Sequence, residues 1–273
     1  MSELSAAWGE GWLWLGGSLL VAVLWTNLAW FFRQPRAGAV GDFVARLVAW
    51  RFSPWLLQFL RLLYTVGVPF AALVWGHDAV VRRLLGLQQF ELPILDGKQT
   101  GGIVAANWLD WSRDVGWAVS LGIGAWALFA LGWWAYRRAV LAAGGLETVA
   151  GVDSSGWNLL REAAYHEAHW AFYRNAPILA LGMYSGVWVG LGLVALEAVL
   201  DPAWRRGLAH PGQAPGRLMR LALAVVSSVA FLLTENLWLM LALHWGVSWG
   251  LVALARTLPL SPVRRVDQAR ARY

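Results

Sequence analysis

Cysteine is absent from the 273 residues, which excludes disulfides, thiolate nucleophiles and cysteine-ligated metals. Charge is scarce as well, at 14% Asp, Glu, Lys and Arg, against roughly 25% in a soluble domain. What fills the space is apolar: 59% of the chain is hydrophobic and the mean hydropathy is +0.51. Lysine is rare beside arginine, no internal repeat is evident, and no positively charged leader precedes the first apolar run, so no cleavable signal peptide is expected. The net charge of +6 is carried by arginine clusters between apolar runs. That placement speaks for membrane topology and contact with anionic lipids, and against nucleic acid.

Three runs, residues 11–32, 115–136 and 176–196, hold no charged side chain; each is long enough to cross a hydrocarbon core of about 30 Å. Residues 55–76 join them, because Arg61 lies near one end and can extend its guanidinium to the headgroups. Residues 221–234 and 237–255 are interrupted only by Glu235 and Asn236, which predicts a tight helical hairpin turning at the membrane surface. Residues 157–174, WNLLREAAYHEAHWAFYR, are too polar for hydropathy to select.

Topology nevertheless calls on that segment. Arginines cluster at 33–51, 137–138, 205–220 and 256–272, and the positive-inside rule places all four clusters in the cytoplasm. One clean span between the second and third clusters cannot satisfy this, whereas a crossing by residues 157–174 does. The fold expected is therefore an all-α, multi-pass transmembrane helical bundle of about seven spans, N-terminus outside and C-terminus cytoplasmic. The alternative is a six-span protein with that segment in the interface. Pro177 is expected to start the next helix after an outer turn at Asn175.

Three regions follow: 1–150, three spans with interfacial helices; 151–258, a four-helix membrane core; and 259–273, a basic cytoplasmic tail. Residues 40–53 place Phe43, Val44, Leu47 and Val48 on one face, the pattern of an interfacial helix, and residues 78–92 repeat it outside. Residues 91–107, with Pro93, Gly101 and Gly102, read as an external loop, and residues 142–156 as a linker. The 21 tryptophans concentrate near span ends, where the ring favours the interface. Gly182, Gly186 and Gly190 form one small-residue ladder, and Gly246 with Gly250 another, so these faces are expected to approach neighbouring helices closely.

Chemistry gathers in residues 157–174. Glu162, His166, His169 and Tyr173 recur at helical spacing on one face, and Glu167 and Arg174 on another. Ionisable groups inside a membrane are costly and commonly mark a function. Glu162, His166 and His169 have the types to hold a divalent metal, or to act as a base and its orienting partner; the competing reading is a polar stripe hydrogen-bonded to other helices. His244 lies alone in the last run.

Thr234-Glu235-Asn236-Leu237-Trp238 followed by His244 resembles the last core helix of the CAAX-prenyl-protease and bacteriocin-processing (CPBP) intramembrane proteases, in which an Asn-Leu-Trp turn precedes a histidine by the same interval. His166-Glu167 with Arg174 stands where that family has a Glu-Glu pair followed by Arg. Residues 176–196 contain no counterpart of the family's Phe-x3-His histidine, and Ser248 stands where it has Asn. The resemblance covers residues 157–255. It implies a bacterial cytoplasmic membrane location, Glu167 as the base that activates water, Arg174 as its partner, His244 as the late histidine, and a membrane-associated peptide as substrate. Glu162, His166 and His169 complete the candidate set. The alternative is a non-catalytic subunit or scaffold that binds other membrane proteins, or a haem or chlorophyll through His244 with Trp245 and Trp249 beside it.

Overall fold

A computed structural model describes residues 2–34, 38–76, 80–81, 84–88, 101–142, 155–210 and 212–257. All regular structure among them is helical: α1 Ser2–Arg33, α2 Ala39–Ala49, α3 Ser53–Leu62, α4 Val68–Trp75, α5 Gly101–Ala142, α6 Gly156–Leu181, α7 Met183–Leu200, α8 Pro202–Ala209, α9 Ala214–Thr234 and α10 Leu237–Thr257. A π-helical turn, Leu63–Gly67, joins α3 to α4. Of the linker expected at 142–156, residues 143–154 lie outside the described residues, and so does the tail expected at 259–273.

Six stretches are long and apolar enough to cross a membrane: Gly9–Arg33, Ser53–Trp75, Trp108–Val140, Met183–Leu200, Ala214–Thr234 and Leu237–Arg256. The protein is a multi-pass membrane protein. Its outward faces match that setting, with Leu13, Leu24, Trp55, Phe70, Leu109 and Leu128 all exposed, a distribution that water would penalise and acyl chains accept.

The most polar long helix is also the most enclosed. Along α6 most residues from Ala163 to Ile178 are buried, and two apolar clusters meet there. Trp170 and Ile178 join Val187, Leu223, Phe231, Met240 and Val247 on one side. Ala171, Phe172 and Tyr173 join Ala72, Val80 and Leu85 on the other. Wrapped in this way, α6 draws hydrogen-bond partners from other helices and does not need an apolar surface of its own. Ser155 starts it, its side chain accepting from the Asn158 N–H at 3.2 Å.

Several sequence-based expectations are corrected here. The turn expected at Asn175 does not form, because α6 continues through Pro177 to Leu181 and breaks at Gly182 (φ 79°, ψ 170°), a conformation glycine adopts without strain. Asn175 instead is buried and clamps a neighbouring segment, exchanging side-chain bonds with the Val81 backbone N–H and carbonyl at 3.4 and 3.1 Å. The span expected at 176–196 is consequently Met183–Leu200, which brings Glu197 inside a helix. In the glycine ladders, Gly186 packs against the backbone of Pro177 and Ile178 and Gly190 against Arg174, whereas Gly182 is the break; Gly250 faces the Trp126 indole of α5 and Gly246 faces open space.

The loop expected across 91–107 gives way at Gly101 to α5, whose long apolar continuation carries the helix back over the two glycines; residues 89–100 lie outside the described residues. Of the outer amphipathic helix expected at 78–92, the described part is a turn at Leu84–Gly86. The interfacial helix expected at 40–53 is α2, ending at Ala49. The hairpin at Glu235 and Asn236 forms between α9 and α10, with Glu235 left-handed at φ 47°.

Candidate functional site

Three polar centres are built on α6. The first comprises Glu167 of α6, Ser227 of α9 and His244 of α10. Glu167 is 0% and His244 5% exposed. His244 Nδ1 lies 2.9 Å from Glu167 Oε1, and the Ser227 hydroxyl donates to Glu167 Oε2 at 2.6 Å. With the carboxylate ionised, Nδ1–H is the donor, so the His244 proton is held on the nitrogen facing Glu167 and Nε2 is left as the basic one. The imidazole is fixed from its faces as well. His166 lies parallel to it, with centroids 5.6 Å apart and planes within 2°, and Trp170 lies at 5.4 Å and 21°.

The α9–α10 turn sets the height of His244. Asn236 Oδ1 accepts from the Trp238 and Leu239 N–H groups at 3.0 and 3.4 Å, capping α10. The Gly86 carbonyl accepts the Leu237 N–H at 2.8 Å. Gln88 Nε2 donates to the Thr234 and Glu235 carbonyls at 2.8 and 3.2 Å. Two turns along α10 from that anchored end, His244 faces α6. Ser248, one turn further, is buried on α10.

The second centre points the other way. His169 Nε2 lies 2.8 Å from Glu197 Oε2 of α7. Tyr173 packs on His169 with centroids 4.3 Å apart, and its hydroxyl lies 3.2 Å from that of Tyr64, which the π-helical turn carries inward; Ser18 of α1 donates to Tyr64 at 3.4 Å. The third centre is Glu162, gripped by both terminal nitrogens of Arg61 at 2.6 Å, a bidentate pair of the kind guanidinium geometry favours. Arg61 also lies over the Tyr165 ring at 5.0 Å.

Six residues were singled out in the sequence, and the fold divides them. Glu167, His166 and His244 come together. His169 joins Glu197, and Glu162 joins Arg61. Arg174 is buried at 1% exposure but bonds neither Glu167 nor any other group, and its guanidinium lies over the Phe231 ring at 4.3 Å. The stripe of Glu162, His166, His169 and Tyr173 thus fans out to different partners. Among the described residues no group of three His, Cys, Asp or Glu side chains forms a metal-binding set. Trp245 and Trp249 stack on each other at 6.4 Å on the exposed side of α10 rather than beside the buried His244 ring. Spacing gave no signal for Ser227, Tyr64 or Trp170, and Glu197 lies just past the run expected at 176–196.

Comparison with known proteins yields no match: no family model, no curated protein and no solved structure matches the chain.

Proposed function

We propose that the protein is a seven-span intramembrane hydrolase acting on a membrane-associated peptide, with α6 as the seventh crossing, the N-terminus outside and the C-terminus in the cytoplasm. The observation that carries the reading is the contact of Glu167 with His244 at 2.9 Å, made between two helices where both side chains are buried and an uncompensated ion costs several kcal/mol. Glu167 has one oxygen on His244 and the other on Ser227, so its role is to orient and charge-balance His244, and His244 Nε2 is the base.

In the step proposed, water loses a proton to Nε2 as its oxygen attacks the peptide carbonyl carbon. Glu167 stabilises the imidazolium that forms. The proton then passes to the leaving nitrogen as the C–N bond breaks, giving a carboxylic acid and an amine. Roles are thereby exchanged relative to the CPBP resemblance, in which the Glu would take the proton itself. His166 stands in for the family's first acid, and its parallel ring beside His244 puts a stacking partner where the family has a carboxylate.

A second reading rests on the closed burial of the same pair: Glu167 and His244 would be the polar lock of a scaffold that holds other membrane proteins. One experiment separates them. Purified protein in lipid vesicles is incubated with a library of membrane-anchored peptides and the products are read by mass spectrometry. Hydrolysis predicts new peptide termini that vanish in His244→Ala. No cleavage by the wild type, or cleavage unchanged in His244→Ala, rejects the hydrolase in favour of the scaffold.

A further inference from the structure

Positive charge collects at one edge of the bundle, apart from the Glu167–His244 pair. Arg61 of α3 holds both oxygens of Glu162 on α6 at 2.6 Å, so that carboxylate is taken. Its neighbour Arg161 lies 3.7 Å from Glu162 Oε1 through Nη2, and its Nε has no partner. Arg220 of α9 is exposed and stands in the fields of Arg61, Arg217 and Glu162, without an ion pair of its own among the described residues. Arg217 is turned aside, donating to Gln213 Oε1 at 3.1 Å. Arg61, Arg161 and Arg220 thus share one carboxylate, and like charges crowded in this way repel. The side chains of Arg61, Arg161 and Glu162 are 34%, 32% and 29% exposed, so a ligand meets them at the surface and needs no cavity.

The register of α6 against α7 gives the depth of this group. Gly186 packs on Ile178, Gly190 on Arg174, and Glu197 meets His169, so the two helices run antiparallel and Leu200, where α7 ends, falls beside Tyr165. The chain then turns at Asp201, which caps α8 by accepting from the Ala203 N–H at 2.8 Å. With Arg205 and Arg206 on it, α8 marks the cytoplasmic edge of the membrane. Glu162 is about one turn of α6 beyond Tyr165, at the level of the headgroups. Apolar side chains adjoin the charges. Leu62 follows Arg61, Leu218 precedes Arg220 by two residues and Trp157 precedes Arg161 by one turn, and all three are exposed. Free guanidinium donors bordered by lipid-facing hydrocarbon suit an amphiphile, a phosphate that carries acyl chains, better than a free ion.

We propose that Arg61, Arg161 and Arg220 form a binding site for the phosphodiester headgroup of one anionic phospholipid of the cytoplasmic leaflet. Arg161 and Arg220 donate charge-assisted hydrogen bonds to the phosphate oxygens. Arg61 stays on Glu162 and adds its field, while the acyl chains run along Leu62 and Leu218. The lipid bridges α6 and α9 near their cytoplasmic ends and offsets the repulsion among the three arginines. This inference rests on the topology proposed above and not on hydrolysis, and the site would serve a scaffold equally well.

The test uses the full-length protein in a nonionic detergent at constant ionic strength. Phosphatidylglycerol, phosphatidylcholine of the same acyl chains, and inorganic phosphate are titrated separately while thermal unfolding is followed. Detergent has no leaflets, so the titration reads the site alone; the orientation is read separately by reporter fusions. Phosphatidylglycerol should raise the midpoint saturably by several degrees, and neither of the others should match it. The double variant Arg161→Gln, Arg220→Gln should weaken the apparent affinity by at least about tenfold. Arg46→Gln, which removes an exposed arginine of α2, should leave it within about twofold. Should the double variant fail to fold, a phosphatidylglycerol analogue with a photoreactive headgroup decides on the wild type: label in the first turns of α6 and α9 supports the site. No saturable response to phosphatidylglycerol, an equal response to phosphatidylcholine or phosphate, a folded double variant that responds as the wild type does, an equal loss in Arg46→Gln, or label confined to other helices each overturn it.

Discussion

Gly86→Ala is the sharpest structural perturbation the fold offers, because one methyl group acts on the anchor of α10. Gly86 adopts φ 78°, and a left-handed conformation costs an L-residue roughly 1–2 kcal/mol. The added Cβ would stand 2.7 Å from the Leu237 nitrogen, 2.8 Å from Phe231 Cε2 and 3.1 Å from the Glu235 carbonyl oxygen. Two of these are backbone atoms of the α9–α10 turn and the first residue of α10, so the turn has to move. Moving it strains the 2.8 Å bond from Leu237 N–H to the Gly86 carbonyl, whose net contribution is about 1 kcal/mol. The sum is a loss of about 2–3 kcal/mol. Chemical unfolding in mixed micelles, followed by tryptophan fluorescence, should report it as a lower midpoint with little change in slope. Gly86→Ala within about 0.5 kcal/mol of wild type would refute the claim that this turn holds α10, and with it the account of what sets the height of His244.

Other consequences are open to direct measurement. Asn175→Leu keeps the volume but strips two bonds from the Val81 backbone; unfolding should shift by about 1–3 kcal/mol, and increased proteolysis at residues 80–88 should accompany it. Reporter domains fused after Leu146 and after Gly212 should both read cytoplasmic if α6 crosses the bilayer; a cytoplasmic reading at one and an external reading at the other would return α6 to the interface. Arg61→Met leaves Glu162 without its bidentate partner, so the variant should lose stability, whereas the double variant Arg61→Met, Glu162→Leu should recover most of it. A double variant as unstable as the single one would contradict that pairing.

Much of the fold was legible because the bilayer imposes a length on each helix. The runs at 11–32, 55–76 and 115–136 reappear as Gly9–Arg33, Ser53–Trp75 and Trp108–Val140, and Glu235 with Asn236 marked the hairpin. The boundary between α6 and α7 was misread for a physical reason. Asn175 and Pro177 look like a turn in sequence, yet a proline inside a wrapped helix loses one bond that its neighbours can tolerate, and Asn175 was committed to Val81. Gly182 made the turn. In the site, His166 and Glu167 stood out in the ionisable cluster of residues 157–174, and His244 through the resemblance carried by Asn236, Leu237 and Trp238. Their separation from His169 could not be read, because it depends on Glu197 and Tyr64, which lie in helices distant in sequence. A serine such as Ser227 in an apolar span carries no sign of its partner until the helices are packed.

The central claim is that Glu167 holds His244 in the tautomer that leaves Nε2 basic, and Glu167→Gln tests it at nearly constant volume. An amide turned to donate to Nδ1 would move the imidazole proton to Nε2 and remove the base, while Ser227 could still bond the amide oxygen. The measurement is the rate of new peptide termini from the membrane-anchored library, wild type against Glu167→Gln, with unfolding midpoints recorded on the same samples. The account predicts a fall of about 10²–10⁴-fold with a midpoint lowered by no more than about 1–2 kcal/mol. A folded Glu167→Gln protein that cleaves at the wild-type rate would contradict it.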